Sequence, residues 1–186
     1  TIARTREGMH RLLQHERLRT ADAAPGCAPV NLLDVVAPIV KVAASDARDK
    51  GLRFEVDIDP RAGANTNADL LTIILQNLIG NAVKHTSREG KAEGSGTVRI
   101  QAAHDPTGGD GFWVVSVIDD GPGIPPDQLD RLFNAFERLP QAGESGIGDG
   151  FGLGLAIASQ AAKLLETTIK VDTHPGRGST FSFRVP

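Results

Sequence analysis

A glycine-rich run near the end of the sequence has the composition of a phosphate-binding loop. Gly148–Leu155 alternates glycine with other residues and leads directly into the apolar-periodic stretch Ala156–Leu165. Glycines spaced two apart before a helix let the backbone approach an anion closely, and the first turn of the helix adds unpaired N–H groups and positive potential. Such runs are common before helices, so this loop alone is a weak indication of a nucleotide site.

An acidic turn follows a predicted strand further upstream. The apolar run Phe112–Ile118 is typical of a buried strand, and Asp119–Pro125 comes directly after it. A carboxylate at the end of a buried strand, followed by glycines, can accept a hydrogen bond from an amino group deep in a pocket. The alternative is an aspartate that caps the turn beside Gly121.

A predicted helix, from about Ala68 to His85, carries a polar face. At helical spacing Asn77, Asn81 and Lys84 share this face, while the apolar residues turn toward a core. The carbonyl oxygens of the two asparagines suit a Mg²⁺ ion that keeps most of its waters and bridges phosphates, and the lysine adds a positive charge. An ordinary solvated helix face is the alternative, but asparagine forms helices poorly and two of them in mid-helix need a reason.

In this order, these stretches resemble the ATP-binding domain of sensor histidine kinases, within the GHKL superfamily that also holds DNA gyrase. The five blocks that carry the resemblance are the N box (Asn77–His85), the G1 box (Asp119–Gly123), the F box (Leu132–Arg138), the G2 box (Gly150–Leu155) and a closing glycine-and-strand motif (Gly176–Phe183). The resemblance covers about Val30 to Pro186. Five blocks in the family's order are far more specific than any one of them.

The resemblance implies an ATP site in which Asp119 binds the base. This carboxylate would accept the adenine amino hydrogens, directly and through water, so the site would prefer ATP over GTP, whose purine has a carbonyl there. Asp120 would face solvent, and His85 would contact phosphate or ribose or be a partly buried structural residue. The expected nucleotide contacts are Asn77, Asn81, Lys84, His85, Asp119, Gly121, Gly123, Ile124, Phe136, Gly150, Gly152, Leu153, Gly154, Leu155 and Thr180.

The resemblance also implies phosphoryl transfer rather than hydrolysis. In the hydrolytic members of the superfamily a glutamate that activates water stands at the position of Asn77, and an amide cannot accept a proton at neutral pH. ATP would then be held, with Mg²⁺ bound through Asn77 and Asn81, for transfer to an acceptor on another segment. The expected catalytic residues are Asn77, Lys84 and Arg138.

The stretch Asp127–Gly150 resembles the ATP lid of the family. Arg138 would approach the γ-phosphate when the lid closes, and Phe133 and Phe136 would pin the lid to the domain or to a neighbouring helix bundle. Packing of both phenylalanines in the core is an equally good interpretation. The glycines of this stretch predict a segment that is ordered by ligand binding.

The run His15–Thr20 is a near match to the phosphoacceptor motif of the family. That motif reads His-Glu-Leu-Arg-Thr-Pro, whereas this run has an extra residue, lacks the proline and lies too close to the N box for a second long helix to intervene. We therefore expect residues 1–25 to be the tail of a dimerisation helix and its linker, followed by the catalytic domain at 26–186. The chain alone would then bind ATP without phosphorylating itself.

Composition narrows the range of partners. The net charge is −3 over 186 residues, which argues against a nucleic-acid binder that works by charge alone. A single cysteine, Cys27, and the lack of an apolar run of ~18 residues predict a cytoplasmic segment without membrane contact, whose parent could be anchored in the inner membrane. The expected partners are ATP, the phosphoacceptor helix of the parent chain and a response regulator, and the parent would be a homodimer.

The periodicities predict an α+β fold, a two-layer sandwich in which a mixed, mainly antiparallel sheet carries about three helices on one face; the resemblance implies a Bergerat-type ATP-binding fold. The predicted strands are Leu52–Ile58, Thr97–Ala103, Phe112–Ile118, Thr168–Thr173 and Ser179–Val185, and the predicted helices include Asn31–Lys50, Gly152–Leu165 and a short one at Asp127–Phe136. Two other functions stay compatible with the sequence: a degenerate module that senses nucleotide or docks a partner, and a serine kinase of the anti-sigma-factor type.

Overall fold

The computed structural model describes residues 2–21, 26–86, 96–105, 112–137 and 152–185. In these ranges the helices are α1 (Ile2–Arg19), α2 (Leu32–Asp49), α3 (Ala68–Thr86) and α4 (Gly154–Leu164), with a 3₁₀ helix at Pro126–Arg131. The strands are β1 (Ala28–Asn31), β2 (Leu52–Ile58), β3 (Gly63–Thr66), β4 (Gly96–His104), β5 (Trp113–Asp119), β6 (Lys170–His174) and β7 (Gly178–Val185).

The strands β2, β4, β5, β7 and β6 form a five-stranded sheet in that order. β2 runs parallel to β4, while the other neighbouring pairs are antiparallel. A parallel pair needs a crossover connection, and the connection between β2 and β4 contains α3. The helices pack on one side of this mixed sheet, so the predicted α+β sandwich is confirmed.

The core lies between α3 and the middle strands of the sheet. Alternate residues of β4, β5 and β7 are almost fully buried, namely Val98, Ile100, Val115, Val117, Phe181 and Phe183. α3 contributes buried residues at helical spacing, among them Leu71, Ile74, Leu75 and Leu78. Each such side chain stabilises the fold by about 1.5–3 kcal/mol, so the apolar face of α3 fixes this helix on the sheet.

Local signals at both ends of α2 agree with the sequence prediction. The Asn31 side chain caps the helix, because its Oδ1 accepts hydrogen bonds from the N–H groups of Leu33 (2.9 Å) and Asp34 (3.3 Å). Its Nδ2 donates to the Pro60 carbonyl at 2.6 Å, which ties the start of α2 to the turn after β2. At the other end Gly51 adopts a φ of +65°, a conformation that suits glycine and stops the helix.

Two local features differ from the sequence prediction. The strands β1 and β3 form a separate two-stranded antiparallel sheet that the sequence did not indicate. Each has four residues, too few to show alternation, and Pro29 lies within β1. The short helix predicted at 127–136 is a 3₁₀ helix at Pro126–Arg131 followed by turns, because Pro125 and Pro126 start it and their fixed φ favours a tight turn.

The helix α1 packs against α4. On this helix His15 is 8% exposed, and Leu18 packs against the core of the domain. The opposite side of α1 leaves Met9 and Leu13 exposed. Of the helices in the described ranges, none has the length and apolar character of a membrane span. The boundary between residues 1–25 and 26–186 stays a prediction.

Candidate functional site

Asp119 is the last residue of β5, which lies between β4 and β7 in the sheet. It lies opposite Ser179 of β7, and the residue is only 8% exposed. Burial, which outweighs the lowering effect of the backbone amides of Gly121 and Ser179, and the smaller effect of the Asp120 charge together raise the pKa of this carboxyl to about 6. The Oδ1 atom accepts a hydrogen bond from the Gly121 N–H at 2.8 Å. A buried carboxylate held by backbone amides is a suitable acceptor for an amino group of a ligand.

The turn after Asp119 is closely packed and requires glycine at Gly121. A Cβ atom there would lie 2.5 Å from Asp119 Oδ1 and 3.1 Å from the carbonyl oxygen of His85, at the end of α3. Gly123, with a φ of +71°, leaves no room for a Cβ beside the carbonyl oxygen of His174. This turn is therefore enclosed between α3 and the hairpin that joins β6 to β7.

Hydrogen bonds fix the same turn to that hairpin. The N–H of Ile124 donates to Thr173 Oγ1 at 2.9 Å, and the N–H of Gly176 donates to the Pro122 carbonyl at 2.6 Å. Gly178, with a φ of +98°, lies so close to the Asp119 carbonyl that no side chain fits. We call Asp119, Gly121, Gly123 and Gly178 the Asp119 end of the site.

The structure changes the interpretation of two neighbours of Asp119. Asp120 was expected to face solvent, but it is half-buried. Its Oδ1 accepts a hydrogen bond from the Thr97 N–H at 3.0 Å, which joins the turn to β4. Thr180 pairs with Ile118, so strand alternation puts it on the face of the sheet opposite to Asp119. Ser179 is the residue of β7 that lies beside Asp119, and sequence analysis missed it. The alternation that puts buried Phe181 and Phe183 on the helix side would have indicated Ser179.

Asn77 lies at the other end of the site, on the polar face of α3, and is half-buried. Its Nδ2 donates to the Ile73 carbonyl at 2.8 Å, and its Oδ1 lies 3.2 Å from the position that a Cβ of Gly154 would occupy. Arg11 Nη1, from α1, lies 3.9 Å from the same position. Gly154 begins α4, and Leu153 before it provides no side-chain cap for the first turn. We call Asn77, Gly154 and Arg11 the Asn77 end of the site.

The two ends are joined by α3. Asn77 and His85 are eight residues apart on this helix, a rise of about 12 Å. Asn81 and Lys84 lie between them at helical spacing and are half-buried. An elongated ligand with an amino-bearing base at the Asp119 end and an anionic group at the start of α4 would lie along this face of α3.

The two phenylalanines before α4 lie in different surroundings. Phe133 is partly buried against the core, whereas Phe136 is 63% exposed and has a φ of +67°. The Phe136 N–H donates to the Gly152 carbonyl at 3.0 Å, which ties the end of this segment to the start of the α4 region. Two residues expected in the site, Arg138 and Gly150, lie outside the described residues, as does most of the predicted lid.

The donor set favours a cation bound together with phosphates over a metal held by the protein alone. Among the described residues, no three histidine, cysteine, aspartate or glutamate side chains are close enough to hold a metal ion. The Asn77 oxygen lies close to the start of α4, and Asn81 is one turn further along α3. Amide oxygens are ligands that Mg²⁺ accepts when phosphates and water complete its shell. This chemistry fits the predicted ion.

Comparison with known proteins agrees with this geometry. Residues 66–186, well over half of the chain, match the family described as histidine kinase-, DNA gyrase B- and HSP90-like ATPases. The chain belongs to this family. The sensor histidine kinase AruS of Pseudomonas aeruginosa is 31% identical to the chain over 179 residues, which are 95% of this chain and 17% of AruS.

Two solved structures of the family are similar to this one. Full-length ShkA in complex with AMPPNP gives a TM-score of 0.78 at 29% identity, over 95% of this chain and 34% of ShkA. The histidine kinase ThkA, in complex with the response regulator protein TrrA, gives a TM-score of 0.65 at 20% identity, over 86% of this chain and 41% of the compared ThkA chain. The chain is thus the ATP-binding catalytic domain of a sensor histidine kinase, and it spans only part of the length of such proteins.

Proposed function

We propose that the site binds ATP with its adenine at the Asp119 end and its phosphates at the Asn77 end. The observation that carries the proposal is the position of two groups along α3. The buried Asp119 carboxylate lies near the end of this helix, and the Asn77 oxygen on the same helix lies beside the start of α4. The carboxylate would accept the adenine amino hydrogens, and Gly121 would let the base lie close to the backbone. The amides at the start of α4 would bind phosphate oxygens.

Mg²⁺ would enter with the phosphates. Asn77 and Asn81 would supply amide oxygens to its shell, and Lys84 would neutralise phosphate charge from the next turn of α3. The ion would reduce the negative charge that repels an incoming nucleophile. An amide at position 77 offers no base to activate water, so hydrolysis would be slow in comparison with transfer to a positioned acceptor.

The acceptor would be a histidine on a helix of the parent protein. Its imidazole nitrogen would attack the γ-phosphorus in line, the bond to the β,γ-bridging oxygen would break, and ADP would leave with that electron pair. His15 is buried, and its surroundings leave little room for an approaching γ-phosphate, which supports an acceptor outside the chain. Arg138 stays a proposed contact of the γ-phosphate.

Further partners follow from the same function. A response regulator would take the phosphoryl group from the acceptor histidine, and the likeness of fold to ThkA, whose structure includes TrrA, supports this. The parent would be a homodimer, with this domain in the cytoplasm.

Calorimetric titration of the chain with ATP, ADP and GTP, each with Mg²⁺, tests the proposal. We expect saturable binding of ATP and ADP, at least tenfold weaker binding of GTP, and loss of ATP binding in Asp119→Asn. The matched control is Asp57→Asn, since Asp57 is exposed on the edge strand β2 and its variant should bind ATP as the wild type does. Equal binding of ATP and GTP, or ATP binding by folded Asp119→Asn at wild-type strength, would contradict the proposal.

A further inference from the structure

Helix α1 turns one face toward the nucleotide-binding domain. Gly8 and His15 are buried and Leu18 packs against the core, at positions that follow helical spacing. Arg11 lies on the same face and is half-buried. The packing of α1 on α4 therefore determines where the Arg11 guanidinium lies.

The guanidinium reaches the Asn77 end of the site. Arg11 Nη1 and Asn77 Oδ1 both lie within 4 Å of a single point, the position of a Cβ at Gly154. This point is at the first residue of α4, so three helices meet there. The absence of a side chain at Gly154 is what allows an arginine from one helix and an asparagine from another to approach it.

The groups around this point suit a phosphate. The amides that begin α4 have positive potential, and α4 has no acidic residue in its first turn. Arginine adds a fixed positive charge and paired N–H donors that match the geometry of phosphate oxygens. An anionic ligand between them would interact favourably with both.

We propose that Arg11 binds the phosphate tail of the nucleotide and thereby links the position of α1 to nucleotide binding. The inference rests on the proposed function, and it adds a binding residue that lies outside residues 66–186, which match the ATPase family. Because binding free energies are reciprocal, α1 docked on α4 raises ATP affinity, and bound ATP stabilises the docked position of α1. Displacement of α1 would withdraw the arginine and weaken ATP binding.

The first test compares Arg11→Ala with Arg17→Ala in the complete chain. Arg17 is exposed on the same helix, so its variant removes the same charge from α1 at a position away from the α4 contact. We expect Arg11→Ala to weaken ATP binding about tenfold, with adenosine binding unchanged, because adenosine has no phosphate. Arg17→Ala should bind both ligands as the wild type does, and Arg11→Lys should retain part of the ATP affinity.

The outcomes separate this inference from the function on which it rests. If ATP binds to the wild type and to Arg11→Ala with the same affinity, the inference is wrong and the ATP site stands. Equal weakening of ATP and adenosine in Arg11→Ala would also contradict it, since that pattern indicates a damaged domain. If the wild type binds no ATP, or if Asp119→Asn binds ATP at full strength, both the function and the inference fail.

Hydrogen exchange provides a readout that does not depend on affinity. With saturating ATP, the backbone amides of α1 should exchange more slowly than in the free protein, and this protection should be smaller in Arg11→Ala at equal saturation. The Arg17→Ala variant should show the full protection. If ATP leaves the exchange of α1 unchanged in the wild type, the link between α1 and the nucleotide does not exist.

Discussion

The Asp119 end of the site is fixed by its own backbone, whereas the Asn77 end is formed where three separate helices meet. At the Asp119 end, the turn is bonded to β4 and to the β6–β7 hairpin, and glycines fill positions where a side chain would clash. At the Asn77 end, the contact depends on how α1, α3 and α4 pack. We infer that the proposed base-binding part is preorganised and that the proposed phosphate-binding part is the adjustable one.

The largest effect should follow from a side chain placed at the Asp119 end. Gly178→Ala adds a methyl group where the Asp119 carbonyl lies, at a φ of +98°. Strain and displacement of β5 or β7 should together lower the free energy of unfolding by about 4 kcal/mol in urea denaturation.

The matched control is Gly176→Ala in the same hairpin. Gly176 also has a positive φ, +82°, but no atom lies within 4 Å of its added Cβ. It should therefore lose only about 1 kcal/mol, from the conformational cost alone. Equal losses in the two variants would show that close packing does not fix the Asp119 end.

The second effect is the pH dependence of stability due to Asp119. Burial raises the pKa of its carboxyl to about 6, so between roughly pH 4 and pH 6 the folded protein holds a proton that the unfolded chain has released. Raising the pH through this window should lower the free energy of unfolding by about 2–3 kcal/mol. Urea denaturation at pH 4.5 and pH 7.5 measures the change.

Asp119→Asn should remove this contribution, because an amide does not titrate. Asp57→Asn, on the exposed edge strand, should retain it. If Asp119→Asn shows the same fall in stability as the wild type, Asp119 is not the group responsible.

A third change tests the Asn77 end. Gly154→Ala places a methyl group 3.2 Å from Asn77 Oδ1 and 3.9 Å from Arg11 Nη1, but alanine is a good helix former and this glycine has no positive φ. We expect the free energy of unfolding to stay within about 1 kcal/mol of the wild type, and ATP affinity in calorimetry to fall about tenfold. A large loss of stability with unchanged affinity would reverse the proposed contrast between the two ends.

The smallest effect should come from a residue away from both ends. Asn31→Ala removes the cap of α2 and should lower the free energy of unfolding by about 1 kcal/mol. ATP affinity should stay unchanged when it is measured well below the melting temperature. A change in affinity would mean that general loss of stability is transmitted to the site, and the other variants would need comparison at equal stability.

The sequence predicted best those elements whose apolar residues repeat with a clear helical or strand period. α3 and β2 were found at nearly their observed bounds because nine residues of α3 are buried at helical spacing and β2 is bounded by glycine and proline. The turn at Asp119 was indicated by its glycines. By contrast, β1 and β3 pair across the connection formed by α2 and β2, and four residues in each strand are too few for a periodic signal.

Contacts between distant segments were the part of the site that sequence patterns could not provide. Arg11 reaches Gly154 only because α1 packs on α4, and nothing in the composition of α1 indicates this. The burial of Asp120 depends on a hydrogen bond with β4, more than twenty residues earlier. The sequence analysis named Thr180 as a nucleotide contact, whereas Ser179 is the residue beside Asp119. Which of the two lies there depends on strand register, which is fixed by the pairing of β7 with β5.

The parallel pairing of β2 with β4 has a consequence for how the molecule folds. The chain between these strands contains β3 and α3, so the edge strand cannot join the sheet by closing a short hairpin. The long loop must be closed first, and such non-local pairing slows folding. Because α3 lies within that loop and carries Asn77, Asn81 and Lys84, we expect β2 to pair with β4 in the same step in which α3 packs on the sheet. The proposed ligand-binding face of α3 would then be positioned together with the last strand of the sheet.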